Sequence, residues 1–389
     1  MKIFKYILYS LALSPLFFIS CTGELDIDPI SNEVIQPDFQ KIGDIESALF
    51  GVYSGYKATT QYTGSLINMG DWPADNLKIS SVNTGQGALQ HEWDYTEGDA
   101  VLEGMWEGAY RVVRRANFVI TGVDAFEGEE TTAATQFQAE ALVLRSLANL
   151  NLHNLYAQRY VDGSELSVAY VTDPTDILQE LPRLSTNEFL SNVIADLNTA
   201  IPNLPNSFDP NRVTKSLAYG LLARAALYQE DWSGVVSNAT LAIDNSAVGL
   251  STIAEYPGMW GESDNDGEAI FKLALDPDDA GVGDGFYTDG VGPRFDPTSD
   301  LLDLYDADDV RLSSFFMDLA PWGTIISKYF GPPTQRQFHE PFIMRVSEMY
   351  LLRAEANNVM GNDGPALADL DELRSNRIPG FTSIGESGA

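Results

Sequence analysis

The sequence predicts an all-helical protein built from stacked hairpins of the tetratricopeptide kind, interrupted by one long loop-rich insertion. Apolar residues recur at helical spacing through most of the chain after Gln40, and segments with a period of two are few. Three of the helical segments also share a local pattern of Leu and small residues beside an Arg.

Helical periodicity marks residues 40–58, 101–126, 132–160, 186–201, 213–229, 233–244, 342–360 and 365–376. The shared pattern reads Leu144-Arg145-Ser146-Leu147-Ala148, Leu222-Ala223-Arg224-Ala225-Ala226 and Leu352-Arg353-Ala354-Glu355-Ala356. Small residues at helical spacing let two backbones approach closely, which is what stacked hairpins require. Asp231-Trp232 and Gly361-Asn362-Asp363-Gly364-Pro365 supply turns, and Pro365 suits a first helical turn. The three arginines read as charges at helix surfaces or ends.

At the N-terminus, Lys2 and Lys5 precede an apolar stretch from Tyr6 to Ile19, too short to span a bilayer comfortably. Residues 1–20 therefore read as a signal peptide. Small Ser20 followed by Cys21 is the arrangement a bacterial lipoprotein needs, with the thiol receiving lipid. Cys21 is also the one cysteine of 389 residues, so a disulfide framework is excluded. Residues 21–39, with Pro29, Pro37 and several acids, have the composition of a tether. A single domain then spans 40–389, with the insertion at 252–340.

The formal charge is −33, and loss of Lys2 and Lys5 with the signal leaves 21 basic against 56 acidic residues. Such a chain is a poor partner for nucleic acid or an anionic membrane surface. It favours a neutral sugar polymer over a polyanion, unless a local basic pocket overrides the overall charge. No cofactor or metal site is expected. His91, His153 and His339 lack ligand spacing, Gly281-Val282-Gly283-Asp284-Gly285 follows no strand and opens no helix, and Asp264-Asn265-Asp266-Gly267-Glu268 departs from a calcium loop. Paired carboxylates carry no catalytic information where 56 acids guarantee some in any fold.

Neutral sugars offer flat, weakly apolar faces rimmed by hydroxyls, so a binder needs exposed aromatic planes beside hydrogen-bonding side chains on loops. Two loop regions have that mixture. The first runs from Asn68 to Leu77 and holds Trp72, Asp75 and Asn76; the second, the insertion, holds Tyr256, Trp260, Tyr287, Arg294 and Trp322. Trp93, Trp106 and Trp232 sit in or beside periodic segments and read as core.

Taken in order behind Cys21, several stretches carry a resemblance to the SusD/RagB family: Trp106-Glu107-Gly108-Ala109-Tyr110 through Asn117, Ala139 through Ala148, and Leu221 through Tyr228 into Asp231-Trp232. Leu301 to Arg311 and Arg345 through Ala356 complete the set. The resemblance implies a non-enzymatic, lipid-anchored outer-membrane protein that captures oligosaccharide and delivers it to a SusC-like TonB-dependent transporter. Two other readings stay open, a RagB-like peptide binder and an exported all-helical polysaccharide-degrading enzyme. Family members continue beyond the segment resembling 367–377, whereas this chain stops at Ala389, which fits either a truncated product or a short member.

Overall fold

The computed structural model describes residues 37–175, 180–205, 208–262, 265–276, 278–331 and 338–386; Cys21, the signal and most of the tether lie outside them. Residues 37–174 and 180–389 form one unit. Its first elements are α1 (Ile42–Tyr56), α2 (Ser65–Asp71), β1 (Leu77–Ile79), α3 (Ala88–His91), α4 (Ala100–Gly122), α5 (Thr131–Tyr156), α6 (Thr186–Ala200), α7 (Lys215–Tyr228) and α8 (Trp232–Asp244). There follow α9 (Gly258–Gly261), β2 (Ala269–Lys272), β3 (Tyr287–Thr288), β4 (Gly292–Pro293), β5 (Phe295–Pro297), α10 (Ser299–Leu302) and α11 (Val310–Phe315). The chain closes with β6 (Phe316–Leu319), β7 (Gly323–Ile326), β8 (Phe342–Arg345), α12 (Val346–Val359) and α13 (Asp363–Ser375).

Side chains fix where several helices begin. Asp99 accepts from the amides of Val101 and Leu102, Ser185 forms a capping box with Glu188, Thr214 accepts from Leu217, and Asp231 accepts from Gly234. The long helices then stack in series: α1 on α4, α4 on α5, α5 on α6, α6 on α7, α7 on α8, α8 on α12 and α12 on α13. One continuous apolar core runs through them, from Ile45 and Leu49 to Met349 and Ala356. Ala141, Ala148, Ala218, Ala223, Ala225, Ala239 and Ala242 are among its buried members, so the small residues do sit where helices meet. This is the all-helical, tetratricopeptide-like architecture expected, trimmed at helix ends such as 123–126 and 157–160, and residues 342–345 form β8 instead of the start of a helix.

The pattern arginines are not surface charges. Each makes a bidentate pair with a carboxylate from a neighbouring helix: Arg145 of α5 with Asp196 of α6 at 2.8 and 2.7 Å, Arg224 of α7 with Glu348 of α12 at 2.6 and 2.8 Å, and Arg353 of α12 with Asp369 of α13 at 2.8 and 2.7 Å. Arg145 also donates to Asn117 of α4 at 2.7 Å, joining three helices. The planar fork of guanidinium matches two carboxylate oxygens, which gives each helix pair a fixed register.

Between α8 and α12 the chain forms short antiparallel pairs, β2 with β8, β3 with β4 and β6 with β7. β1, although it precedes the stack's main helices, pairs with β5, bringing Leu77 opposite Pro297 and Ile79 opposite Phe295. The two loop regions picked out in the sequence are thereby one surface. β2 escaped detection because all four of its residues are buried, which removes the alternation that signals a strand. Small clusters hold the region together, one of Trp72, Leu77, Val282, Phe286, Phe295, Phe316 and Ile326, another of Tyr256, Met259, Trp260 and Val310.

Candidate functional site

The surface around the β1 and β5 pair is built from the end of α2 outward. Trp72 follows α2, is 6% exposed, stacks on Phe295 at 6.1 Å and donates its indole N–H to the Gly285 carbonyl at 3.3 Å. Its own carbonyl and that of Pro73 then hold the next loop. His91 Nδ1 donates to the Trp72 carbonyl at 2.7 Å, and Trp93 Nε1 donates to the Pro73 carbonyl at 2.9 Å. Gly87 lets this loop close down: at φ +67 its missing Cβ would sit 2.7 Å from Trp72 Cδ2.

Trp93 is the consequence. It is 68% exposed and carries φ +57, a left-handed conformation that costs a non-glycine residue roughly 1–2 kcal/mol. Backbone bonds from Trp93 to Gln90 at 3.3 Å and from Asp94 to Leu89 at 2.9 Å hold it there. The ring stacks on half-buried Tyr95 at 6.3 Å, and its neighbours in the chain, Glu92, Asp94, Thr96 and Glu97, are exposed. With the indole N–H already satisfied, what remains open is a flat apolar face with acceptors at its edge.

Trp322 is a second exposed indole. It is 36% exposed in the turn between β6 and β7 and lies over Gly292, whose missing Cβ would sit 2.8 Å from the indole Cε2. Gly292 is at φ +124 and only three residues from Phe295, against which His91 packs at 5.7 Å. Between them Arg294 donates from Nε to Thr288 Oγ1 at 2.9 Å, and its carbonyl accepts from Asn83 Nδ2 at 2.9 Å. Burial lowers the Arg294 guanidinium and raises the nearby Asp284 carboxyl from their ordinary values.

Not every expected residue belongs to this surface. Trp72, Tyr256, Trp260 and Tyr287 are 6%, 2%, 4% and 6% exposed, so as exposed sugar platforms they are corrected: the loops fold their rings into clusters of their own. Asp75 is exposed, and the Asn76 carbonyl is tied to the amide of Thr298 at 2.9 Å. Conversely, Trp93 and Trp106 are not core. Trp106 is 37% exposed and stands edge-on to Tyr110 and Tyr156, while Trp232 is half-buried against the main core. No group of three or more His, Cys, Asp or Glu suited to a metal ion occurs among the described residues. Asp264 lies outside them, and Asp266 and Glu268 are engaged by Lys272 and Arg377.

Comparison with known proteins places the chain. The family described as "Starch-binding associating with outer membrane" matches residues 25–227, more than half of it, and the SusD family matches residues 322–377. The chain belongs to the SusD/RagB family. A SusD-like protein of Formosa agariphila is 23% identical over 261 residues, 63% of this chain and 47% of that one. A SusD-like protein of Bacteroides ovatus is 27% identical over 248 residues, 60% of this chain and 41% of that one, so the match spans less than half the length of either relative. Among solved structures, one described as a sugar binding protein from Bacteroides vulgatus superposes with a TM-score of 0.78 at 24% identity, covering 89% of this chain and 80% of that one. A SusD superfamily protein from Bacteroides thetaiotaomicron gives 0.77 at 23%, covering 87% and 81%. At these identities the structures share the fold.

Proposed function

We propose that this protein is a cell-surface binder that captures oligosaccharide on the face formed by Trp93, Tyr95 and Trp322 and passes it to a SusC-like transporter in the outer membrane. The observation that carries the reading is Trp93. An aromatic ring held open to solvent in a strained backbone, with its one donor spent on the Pro73 carbonyl, has no part in a core. Such a ring offers a sugar the plane its C–H face needs, and nearby acceptors suit its hydroxyls. Lipidation at Cys21 keeps the site at the membrane, and the family's general partnership supplies the transporter.

Binding without catalysis is the expected mode. Purified protein run through gels containing soluble polysaccharides is retarded by its ligand, and the same incubation releases no new reducing ends. Release of reducing ends favours the degrading enzyme instead, and retardation by peptides alone favours the peptide binder. Cys21→Ala releases the protein from the membrane fraction; its retention there without a partner contradicts the lipid anchor.

A further inference from the structure

A cavity of about 310 Å³ opens beside the first turn of α12, lined by Trp260, Lys328, Tyr329, Arg345, Ser347 and Glu348 among others. Two of these residues bury a polar group that no described residue bonds. Ser347 is 5% exposed and Trp260 4%, yet neither Ser347 Oγ nor Trp260 Nε1 has a hydrogen-bond partner among the described residues. Orphaned buried groups are rare enough in folded proteins to call for an explanation. An indole N–H only donates, and a hydroxyl readily does, so both lack an acceptor.

Two cations face the same cavity. Lys328 Nζ rests 5.2, 5.0 and 5.0 Å from the ring centres of Trp260, Phe315 and Tyr329, and its one side-chain hydrogen bond among the described residues is to Tyr329; it forms no ion pair among them, and Asp71 acts on it only through space. Arg345 lies 5.3 Å from the Trp260 ring centre and 3.8 Å from Oε2 of Glu268, too far for a hydrogen bond, while Arg377 holds the other oxygen of that carboxylate. Arg345 is also the N-cap of α12 and makes no side-chain cap, so the positive end of that helix is left uncapped by a side chain. The one carboxylate lining the cavity, Glu348, is taken up by Arg224 at 2.6 and 2.8 Å.

We propose that this pocket binds an oxyanion, a carboxylate or sulfate group that accepts from Ser347 Oγ, Lys328 and Arg345 at the start of α12. Two orphaned donors beside two cations that no carboxylate hydrogen-bonds, gathered in a chain of formal charge −33, are the local exception that an acidic ligand requires. The site is separate from the Trp93 face and stands whether or not that face takes glycan.

Isothermal titration of the full chain with sodium sulfate and with sodium glucuronate, at ionic strength held constant with chloride and with glucose as the neutral control, tests it. The expected result is saturable one-to-one binding of at least one anion and none of glucose. Glucuronate alone binding identifies a sugar acid as the source, and sulfate alone a sulfate group. Lys328→Gln and Ser347→Ala each weaken the anion by about tenfold while the melting temperature holds, and Lys328→Arg, which keeps the charge, retains most of the affinity. Absence of saturable binding by either anion overturns the proposal, as does unchanged affinity in both Lys328→Gln and Ser347→Ala.

Discussion

Within the helical stack the pattern arginines each meet a carboxylate on a neighbouring helix, whereas between α8 and α12 the aromatic rings meet one another. Trp260, for example, touches Tyr256, Phe315, Tyr329, His339 and Phe342 within 6.2 Å between ring centres. The stack is fixed by charge geometry laid over close helix packing. The loop region is fixed by small aromatic cores, and it has rings to spare. Trp322 in that region and Trp93 in the loop before α4 are left outside, and their exposure is a property of how the loops close, with Gly87 under Trp72 and Gly292 under Trp322.

That contrast can be broken at either end. Arg145→Ala strands Asp196 in a setting where its oxygens had two guanidinium bonds, and removing one partner of a buried pair costs about 3–5 kcal/mol. Urea unfolding shows it as a lower midpoint with glycan affinity unchanged in whatever protein stays folded. Trp260→Ala empties the centre of an aromatic cluster, at a cost of roughly 3–5 kcal/mol from lost contacts and cavity. Calorimetry records that as a fall in melting temperature. A melting temperature equal to wild type contradicts the placement of Trp260 in a core.

A smaller effect follows from the two buried histidines. Burial lowers both His153 and His339 to about 4, against roughly 6.5 in the unfolded chain. Between those values the unfolded state binds more protons than the folded one, so this stability is complete above about pH 6.5 and is lost as pH falls toward 4. Asp71, Asp284 and Asp296, whose carboxyls partial desolvation raises, act in the opposite sense. His153→Gln therefore isolates the histidine part. Wild type loses about 2 kcal/mol more than the variant between pH 7 and 5, measured by urea unfolding at both.

The stack was legible in the sequence because periodicity and small residues are local signals, and the long helices lie within a few residues of where the pattern put them. What the pattern did not reveal was the partner of each arginine. Asp196 is 51 residues from Arg145 and Glu348 is 124 from Arg224, and no spacing rule reaches so far. The candidate site was legible in its region and misread in its residues. Gly, Pro and Asp around Trp72 and Trp260 suggested open loops, but those loops bury their own rings. Trp93 adjoined a periodic segment and looked like core, until a positive φ turned it out. Its one local signal is the pair of acids flanking it, Glu92 and Asp94, an unusual setting for a buried indole.

The most direct test of the account sets Trp93→Ala beside Trp260→Ala, each measured for affinity to a polysaccharide that retards the wild type and for melting temperature. A platform ring that stacks on sugar contributes about 1–3 kcal/mol to binding and little to folding. The account predicts that Trp93→Ala binds about tenfold or more weakly at an unchanged melting temperature, that Trp322→Ala shifts affinity in the same direction, and that Trp260→Ala melts earlier. Wild-type affinity in Trp93→Ala, with a confirmed ligand in hand, contradicts it.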